Sequence, residues 1–128
     1  MTHELTDLQI DVLRVLWERG EASAGEVTDA LRGRRDLAAT TVATLLTRLE
    51  KRGVVTHRVE GRSYIYRAEV GEGDVRRTLL TRVKGAFAGD VSALLAQLIS
   101  DEQLDANDLA RARELIELRE RELQEDGS

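Results

Sequence analysis

Four threonines fall within eight residues of a segment whose leucines otherwise mark a helix. The segment spans residues 40–53 and reads TTVATLLTRLEKRG. Threonine costs a helix roughly 0.5 kcal/mol per residue relative to alanine, so we expect a functional reason for this cluster. A short side chain that carries a hydroxyl and a methyl group suits base edges in the DNA major groove, where the hydroxyl bonds and the methyl packs on thymine.

Cationic side chains follow these threonines directly and recur in the next segment. Arginine and lysine beside a base-reading helix are suited to phosphate contacts, which fix its register on the duplex. The candidate DNA-binding residues are therefore Thr40, Thr41, Ala43, Thr44, Thr47, Arg48, Lys51, Arg52, Arg58 and Arg62. The alternative is a surface helix that tolerates threonine because tertiary packing holds it in place.

The charge distribution favours the nucleic-acid interpretation more than the net charge of −5 does. Residues 32–67 carry nine basic and three acidic side chains, whereas residues 71–128 carry 8 basic and 13 acidic ones. A basic segment inside an acidic chain indicates a surface that faces a polyanion. On charge alone, a solvated charged face remains an equal alternative.

Local signals in the first 70 residues predict three short helices. Capping boxes open the first two helices, at Thr6 with Gln9 and at Ser23 with Glu26. Glycines suited to a helix C-terminus follow the three helices: Gly20, Gly33 and Gly53. In the third helix the apolar residues cluster on the side opposite the threonines: Val42, Leu45, Leu46 and Leu49.

A β-hairpin is predicted after the third helix. The stretch VVTHRVEGRSYIYRA, residues 54–68, is rich in β-branched and aromatic residues on both sides of Glu60-Gly61. Three short helices and a terminal hairpin make a winged helix-turn-helix. We expect His57 on the solvent-facing side of its strand, and we expect Trp17 in the core, between the first helix and the hairpin.

The rest of the chain, residues 71–128, is predicted to be helical at about 74–88, 90–99 and 105–123. Amphipathic helices with one phenylalanine have difficulty burying a core alone, so a second copy of the chain is the expected partner. The candidate dimerisation residues are Leu79, Val83, Phe87, Leu94, Leu95, Leu98, Leu109, Ala112, Leu115 and Ile116. The expected fold class is mainly α with a small β-hairpin, a winged helix-turn-helix over residues 1–70 followed by a helical dimerisation region.

Several kinds of chemistry are disfavoured by composition. The chain has no cysteine, which excludes disulfides, thiol catalysis and cysteine-ligated metal. Two isolated histidines, His3 and His57, have no metal-ligand spacing, and no catalytic or phosphate-loop motif is present. We therefore expect no enzyme activity, cofactor or metal. No membrane-spanning run or secretory signal is visible, and a cytoplasmic protein is expected.

The chain resembles the penicillinase-repressor (BlaI/MecI) family of bacterial transcription factors. The similarity rests on VLRVLWERG at 12–20, TTVATLLTRLEKRG at 40–53, RSYIYRA at 62–68 and, less specifically, QLDANDLARARELI at 103–116. The resemblance implies a homodimer on a palindromic operator in double-stranded DNA, with intertwined C-terminal helices. It also implies repression of genes for resistance to cell-wall antibiotics.

This chain lacks the residues that two known mechanisms of release from DNA use in this family. The best-known relatives are cleaved at an Asn-Phe bond, and the corresponding position in this chain is Gln97-Leu98. Copper-responsive relatives use cysteines, which this chain lacks. A regulatory protease or an unknown inducer is therefore expected as a further partner.

Two other function classes remain open from the sequence. A winged helix can serve as a protein-interaction module, although that role needs no excess of basic residues. A small-ligand-responsive regulator would need a pocket among the helices at 74–99, where no polar cluster indicates one.

Overall fold

The computed structural model describes residues 4–127 and, within them, contains six helices and three short strands. In chain order these are α1 (Asp7–Arg19), β1 (Ala22–Ser23), α2 (Ala24–Leu31), α3 (Ala39–Lys51), β2 (Val55–Glu60), β3 (Ser63–Ala68), α4 (Glu72–Ala86), α5 (Val91–Ile99) and α6 (Ala106–Gly127). This mainly helical fold with a small sheet confirms the predicted fold class. The chain forms two compact units, one ending at Thr81 and one beginning at Arg82.

Both predicted capping boxes are confirmed. The Gln9 amide donates to the Thr6 hydroxyl over 3.2 Å, and the Thr6 amide donates to the Gln9 side chain over 3.0 Å. Ser23 and Glu26 make the same reciprocal pair at the start of α2. These bonds satisfy amides that would otherwise lack partners at a helix start, so α1 and α2 begin where the sequence predicts.

The core of the first unit lies between α1, α2, α3, the sheet and the start of α4. α3 contributes the predicted apolar residues Val42, Leu46 and Leu49, each no more than 1% exposed, while Leu45 is half-buried. The other members of the core are Leu5, Val12, Leu13, Val15, Leu16, Ala22, Val27, Leu31, Val54, Val55, Tyr66 and Val75.

The wing consists of β2 and β3, paired antiparallel from Val55 with Ala68 to Glu60 with Ser63. A two-residue turn joins them, and Gly61 in this turn has a φ of +62°, a value that favours glycine. The sequence did not predict β1, which adds a third strand by pairing Ala22 with Tyr66 and Ser23 with Ile65. Two residues are too few to show the alternation that marks a strand.

Trp17 occupies the rim of the core. Its ring is half-buried, and its indole N–H donates to the carbonyl of Val70 over 2.9 Å. Trp17 thus packs against the core as expected, but at its rim and only half-buried. A buried indole needs a partner for its N–H, and Trp17 finds one just after β3, so it fastens α1 to the end of the wing.

A buried carboxylate joins α1 to the turn that precedes α3. Asp11 is 7% exposed, and its carboxylate lies 2.7 Å from Nε of Arg35, 3.1 Å from Arg14 and 3.7 Å from Arg34. The hydrogen bond from Arg35, with the nearby charges of Arg34 and Arg14, holds the pKa of Asp11 below that of an ordinary aspartate. This cluster fixes the chain immediately before the threonine-bearing helix.

The stability of the first unit should therefore fall in acid through Asp11. Because its folded-state pKa is lowered, its ion pairs stabilise the fold above the ordinary aspartate pKa of about 4, and that stability is lost as pH falls through the folded-state pKa. Asp11→Asn should lower the free energy of unfolding by about 1–3 kcal/mol at pH 7 and flatten its dependence on pH in acid. Denaturant unfolding as a function of pH measures both.

Asp29→Asn is the control for that prediction, since both partners of the Asp29–Arg32 ion pair are at least 67% exposed. An exposed pair contributes about 0–1 kcal/mol, so this variant should keep nearly the parent stability. An Asp11→Asn protein with the parent's stability and acid sensitivity would contradict the assignment.

The second unit holds α5 and α6. Asp90 caps α5 by accepting from the amide of Ala93, and Asp105 and Asp108 bond reciprocally at the start of α6. α6 runs to Gly127 and all its residues are exposed, including the large apolar ones Leu109, Leu115, Ile116, Leu118 and Leu123. Within residues 4–127, no helix is both long and apolar enough to cross a bilayer.

Candidate nucleic-acid interface

α3 presents an exposed polar face opposite its buried one. Thr40, Thr41, Thr44 and Thr47 are all exposed, and Ala43 is half-buried beside them. The helix begins at Ala39, one residue before the first threonine, and no side chain caps it. The fold thus places the cluster of small hydroxyl-bearing side chains on one accessible surface.

Two of the threonine hydroxyls are already engaged as donors. Thr44 donates to the carbonyl of Thr40 and Thr47 donates to the carbonyl of Ala43, both over 2.9 Å. Such bonds to the preceding turn are open to threonine in a helix. They leave oxygen lone pairs and methyl groups for a partner, which suits the amino groups of adenine and cytosine and the methyl group of thymine.

Most of the predicted cations around this face carry uncompensated charge. Arg48, Lys51 and Arg62 are exposed, and their side chains have no ion-pair or hydrogen-bond partner among residues 4–127. Arg52 donates to the backbone carbonyl of Glu4 over 2.7 Å, so its charge is not neutralised by a carboxylate. These four side chains keep their charge available for an anion.

Arg58 differs from the other predicted cations. It lies 2.6 Å from a carboxylate oxygen of Glu21 and 2.8 Å from one of Glu60. Hydrogen bonds to Glu21 and then Glu60 raise the pKa of Arg58, and the same contact lowers the pKa of Glu21. Arg58 is thus committed to an intramolecular bridge between the turn before β1 and the wing.

Strand alternation puts Arg58 on the opposite face of the wing from α3. Arg58 pairs with Ile65, whereas its neighbours His57 and Val59 pair with Tyr66 and Tyr64, and successive side chains point to opposite faces. We call the side bearing Arg58 the outer face of the wing. Near the wing turn it bears a cavity whose charged lining residues are one cation and three acids, Arg58 with Glu21, Glu26 and Glu60.

The inner face of the wing, which bears His57, Tyr64 and Tyr66, contacts α3 through polar groups. Nδ1 of His57 lies 2.7 Å from both carboxylate oxygens of Glu50 on α3. Burial raises the pKa of Tyr66, and a hydrogen bond with Thr47 opposes that rise. The expectation of a solvent-facing His57 is therefore wrong, because its side chain is only 26% exposed. His57 pairs with the buried Tyr66 across the hairpin, so both side chains lie on the inner face.

The predicted dimerisation residues fall into different environments. Leu79 is half-buried and packs against the core of the first unit, Leu94 of α5 is 7% exposed, and Phe87, in the turn that follows α4, is half-buried. The others are exposed: Val83, Leu95, Leu98, Leu109, Ala112, Leu115 and Ile116. On α6, Leu109, Ala112 and Ile116 share one stripe at helical spacing.

No group of three potential metal ligands occurs in the described part of the chain. His3, which the sequence offers together with His57, lies outside the described residues.

Comparison with known sequences gives matches over almost the whole chain. A family model described as penicillinase repressor matches residues 5–118. The methicillin resistance regulatory protein MecI of Mammaliicoccus sciuri is 23% identical over 116 residues, covering 90% of this chain and 94% of MecI. A penicillinase repressor of Staphylococcus aureus is 23% identical over 114 residues, covering 88% of this chain and 90% of the repressor.

Comparison with solved structures matches the same architecture. The DNA-binding domain of the repressor BlaI is 29% identical with a TM-score of 0.50, covering 58% of this chain and 93% of that domain. A MarR family protein from Bacillus stearothermophilus is 20% identical with a TM-score of 0.52, covering 95% of this chain and 77% of its own. The second likeness concerns the fold alone, and both agree with a winged helix.

Proposed function

Since this chain belongs to the penicillinase repressor family, we propose that it is a transcriptional repressor that binds operator DNA with the threonine face of α3. The observation that carries the proposal is the exposed threonine face beside free cations, on a helix whose other face is buried. Occupation of promoter DNA would block transcription. Such a partner places the protein in the cytoplasm.

The dimensions of α3 suit the major groove. Its 13 residues span about 20 Å at a rise of 1.5 Å per residue, and the B-DNA major groove, about 12 Å wide, admits an α-helix. Thr40, Thr41, Thr44 and Thr47 are short, so they let the helix axis come close to the base edges. Half-buried Ala43 adds a small apolar contact on the same surface.

Phosphate contacts would come from Arg48, Lys51, Arg52 and Arg62. Each neutralised phosphate releases counterions, so the affinity should depend steeply on salt concentration. Arg58 has a different role in this proposal, because its guanidinium already binds Glu21 and Glu60. It holds the wing against the turn before β1 rather than contacting DNA.

The exposed stripe on α6 supports a homodimer. Leu109 and Ile116 are 39% and 56% exposed in the single chain, and a second copy offers the same stripe in return, as two-fold symmetry requires. A two-fold dimer reads a palindromic operator whose half-sites lie about 34 Å apart, or a multiple of that. By similarity to its relatives, the repressor would control genes for resistance to cell-wall antibiotics.

Release from DNA in this proposal requires an inducer or protease of its own. Gln97-Leu98 lies inside α5, where a protease must first unwind the helix to reach the peptide bond. We therefore expect cleavage here only if α5 opens locally.

Selection of bound sequences from a random DNA pool, followed by salt titration of the selected duplex, tests this function. We expect a palindromic consensus. On that duplex, Arg48→Ala should weaken binding by roughly 10-fold at low salt. It should also reduce the salt slope, which is the slope of log affinity against log salt concentration, by about 0.9 for each phosphate that loses its cationic partner. Electrophoretic or fluorescence titration at several salt concentrations measures both.

Arg58→Ala is the matched control, because it removes the same charge from a residue that is already ion-paired. Its salt slope should stay close to that of the parent protein. If the winged helix were instead a protein-interaction module, neither variant would change DNA binding, and the selection would return no sequence above nonspecific background.

A further inference from the structure

A groove separates α3 from the wing on the inner face. Its lining includes Ser23 and Gly25 at the start of α2, Ala43 of α3, and Arg62 and Tyr64 of the wing. Its volume is about 440 Å³. The groove opens beside the threonine face, because Ala43 belongs both to its lining and to that surface.

The charge around the wing favours an anion in this groove and disfavours one on the outer face. Arg62 is the only charged side chain that lines the groove among residues 4–127. The outer-face cavity near the wing turn is lined by three carboxylates and one guanidinium, and a second outer cavity is lined by Glu21 with Arg58 and Arg67. A polyanion that meets the wing is therefore attracted to the inner groove by Arg62 and repelled by the three carboxylates of the outer cavity nearest the turn.

Tyr64 is the aromatic side chain available inside this groove. It is 52% exposed, whereas Tyr66, two residues later on the same face, is 4% exposed and belongs to the core. Its hydroxyl has no hydrogen-bond partner within residues 4–127. A phenol can donate to a phosphate oxygen while its ring packs on the neighbouring sugar.

The orientation of the Tyr64 ring is fixed through His57. The two rings stack with centroids 4.1 Å apart and planes 14° from parallel. His57 is in turn held by both oxygens of Glu50, at 2.7 Å. The chain of contacts runs from α3 through Glu50 and His57 to Tyr64, so the position of α3 sets that of the phenol.

We propose that Tyr64 is a further DNA contact, which binds the sugar-phosphate backbone of one strand in the groove between α3 and the wing, and that His57 and Glu50 are its positioning residues. This inference rests on the proposed function and adds a contact to it. A backbone contact strengthens binding to every sequence equally, since phosphates carry no base information.

The test measures duplex affinity and salt slope for the full-length protein and its variants on DNA selected from the random pool. Tyr64→Phe removes only the hydroxyl and should weaken binding by about 10-fold with an unchanged salt slope, because a neutral donor displaces no counterion. The loss of affinity should be equal on the selected sequence and on one with altered bases. Arg62→Ala, at the same groove, should reduce the slope.

A double-mutant cycle tests the positioning role. His57→Ala should weaken binding in the parent protein but have little further effect in Tyr64→Ala, since it acts through the missing ring. Glu50→Gln, which keeps a hydrogen-bonding group for His57, should retain more affinity than Glu50→Ala. A role of His57 in stability alone would instead give additive losses of affinity.

The experiments distinguish a failure of the Tyr64 contact from a failure of the proposed repressor function. If Arg48→Ala weakens DNA binding while Tyr64→Phe does not, the proposed Tyr64 contact is wrong and the proposed repressor function is retained. A weakening confined to one base sequence would mean that Tyr64 contacts a base and not the backbone. If the parent protein selects no DNA, both proposals fail.

Discussion

Replacing Ile116 with glutamate should convert the proposed dimer into monomers and lower operator affinity by about 100-fold or more. Ile116 lies on the α6 stripe one turn after Ala112, Leu123 falls on the same side two turns later, and Ile116 is 56% exposed in the single chain. Glutamate favours the helix, so the helix itself should persist. An unpaired carboxylate at the dimer interface would, however, have to lose its hydration.

The expected loss of affinity is large because dimerisation links the binding of the two α3 helices to the two half-sites. A dimer that has placed one α3 in the major groove holds the second at a high effective concentration, and this raises affinity by about 10²–10⁴ over a single half-site. Sedimentation velocity measures the oligomeric state, and titration of the full and half operators measures the affinity. The monomer should bind both duplexes with similar affinity.

Leu118→Glu is the matched control. Leu118 is 46% exposed on the same helix, but at 100° per residue it lies on the side opposite Leu109. This variant should remain dimeric and keep the parent affinity. A dimeric Ile116→Glu protein, or a monomeric Leu118→Glu protein, would show that the stripe is not the interface.

The second large effect is expected in the core beneath the threonine face. Leu46→Ala should lower the free energy of unfolding by about 2–5 kcal/mol, the usual cost of truncating a buried leucine. Leu46 is 0% exposed in the core of the first unit, on the side of α3 opposite Thr44. Since small domains are stable by only about 5–15 kcal/mol, this decrease is a large fraction of the total.

Leu45→Ala provides a comparison one residue away. Leu45 is half-buried at the edge of the core, so its truncation removes less apolar packing and leaves a site that solvent can fill. Urea denaturation monitored by Trp17 fluorescence gives the unfolding midpoint of each variant. Equal destabilisation by the two variants, or a larger effect of Leu45→Ala, would contradict the placement of α3.

Local signals in the sequence predicted the helix starts well. A capping box such as Thr6 with Gln9 depends on residues three positions apart, so its information is contained in the segment itself. The same holds for the apolar stripe of α3, where spacing alone separates Leu46 from Thr44. Such local features are sufficient to predict a winged helix without knowledge of any tertiary contact.

Features that depend on distant residues could not be predicted. Arg58 resembles Arg62 in the sequence, yet Arg58 is paired with Glu21, which lies 37 residues away. β1 exists because Ala22 meets Tyr66 across the folded chain. The side on which His57 lies depends on the register of a hairpin whose turn, Gly61-Arg62, gives only a weak signal in the sequence.

The opposite charges on the two faces of the wing have a kinetic consequence. A duplex approaching by diffusion would meet an attractive field at Arg62 and a repulsive one at the outer cavity near the turn, where Arg58 is outnumbered by Glu21, Glu26 and Glu60. Long-range fields of this kind steer productive encounters and raise association rates, most strongly when little salt is present. In the proposed mode of DNA binding, the carboxylates around Arg58 would therefore shorten the search for the correct orientation by disfavouring collisions that place the wing backwards.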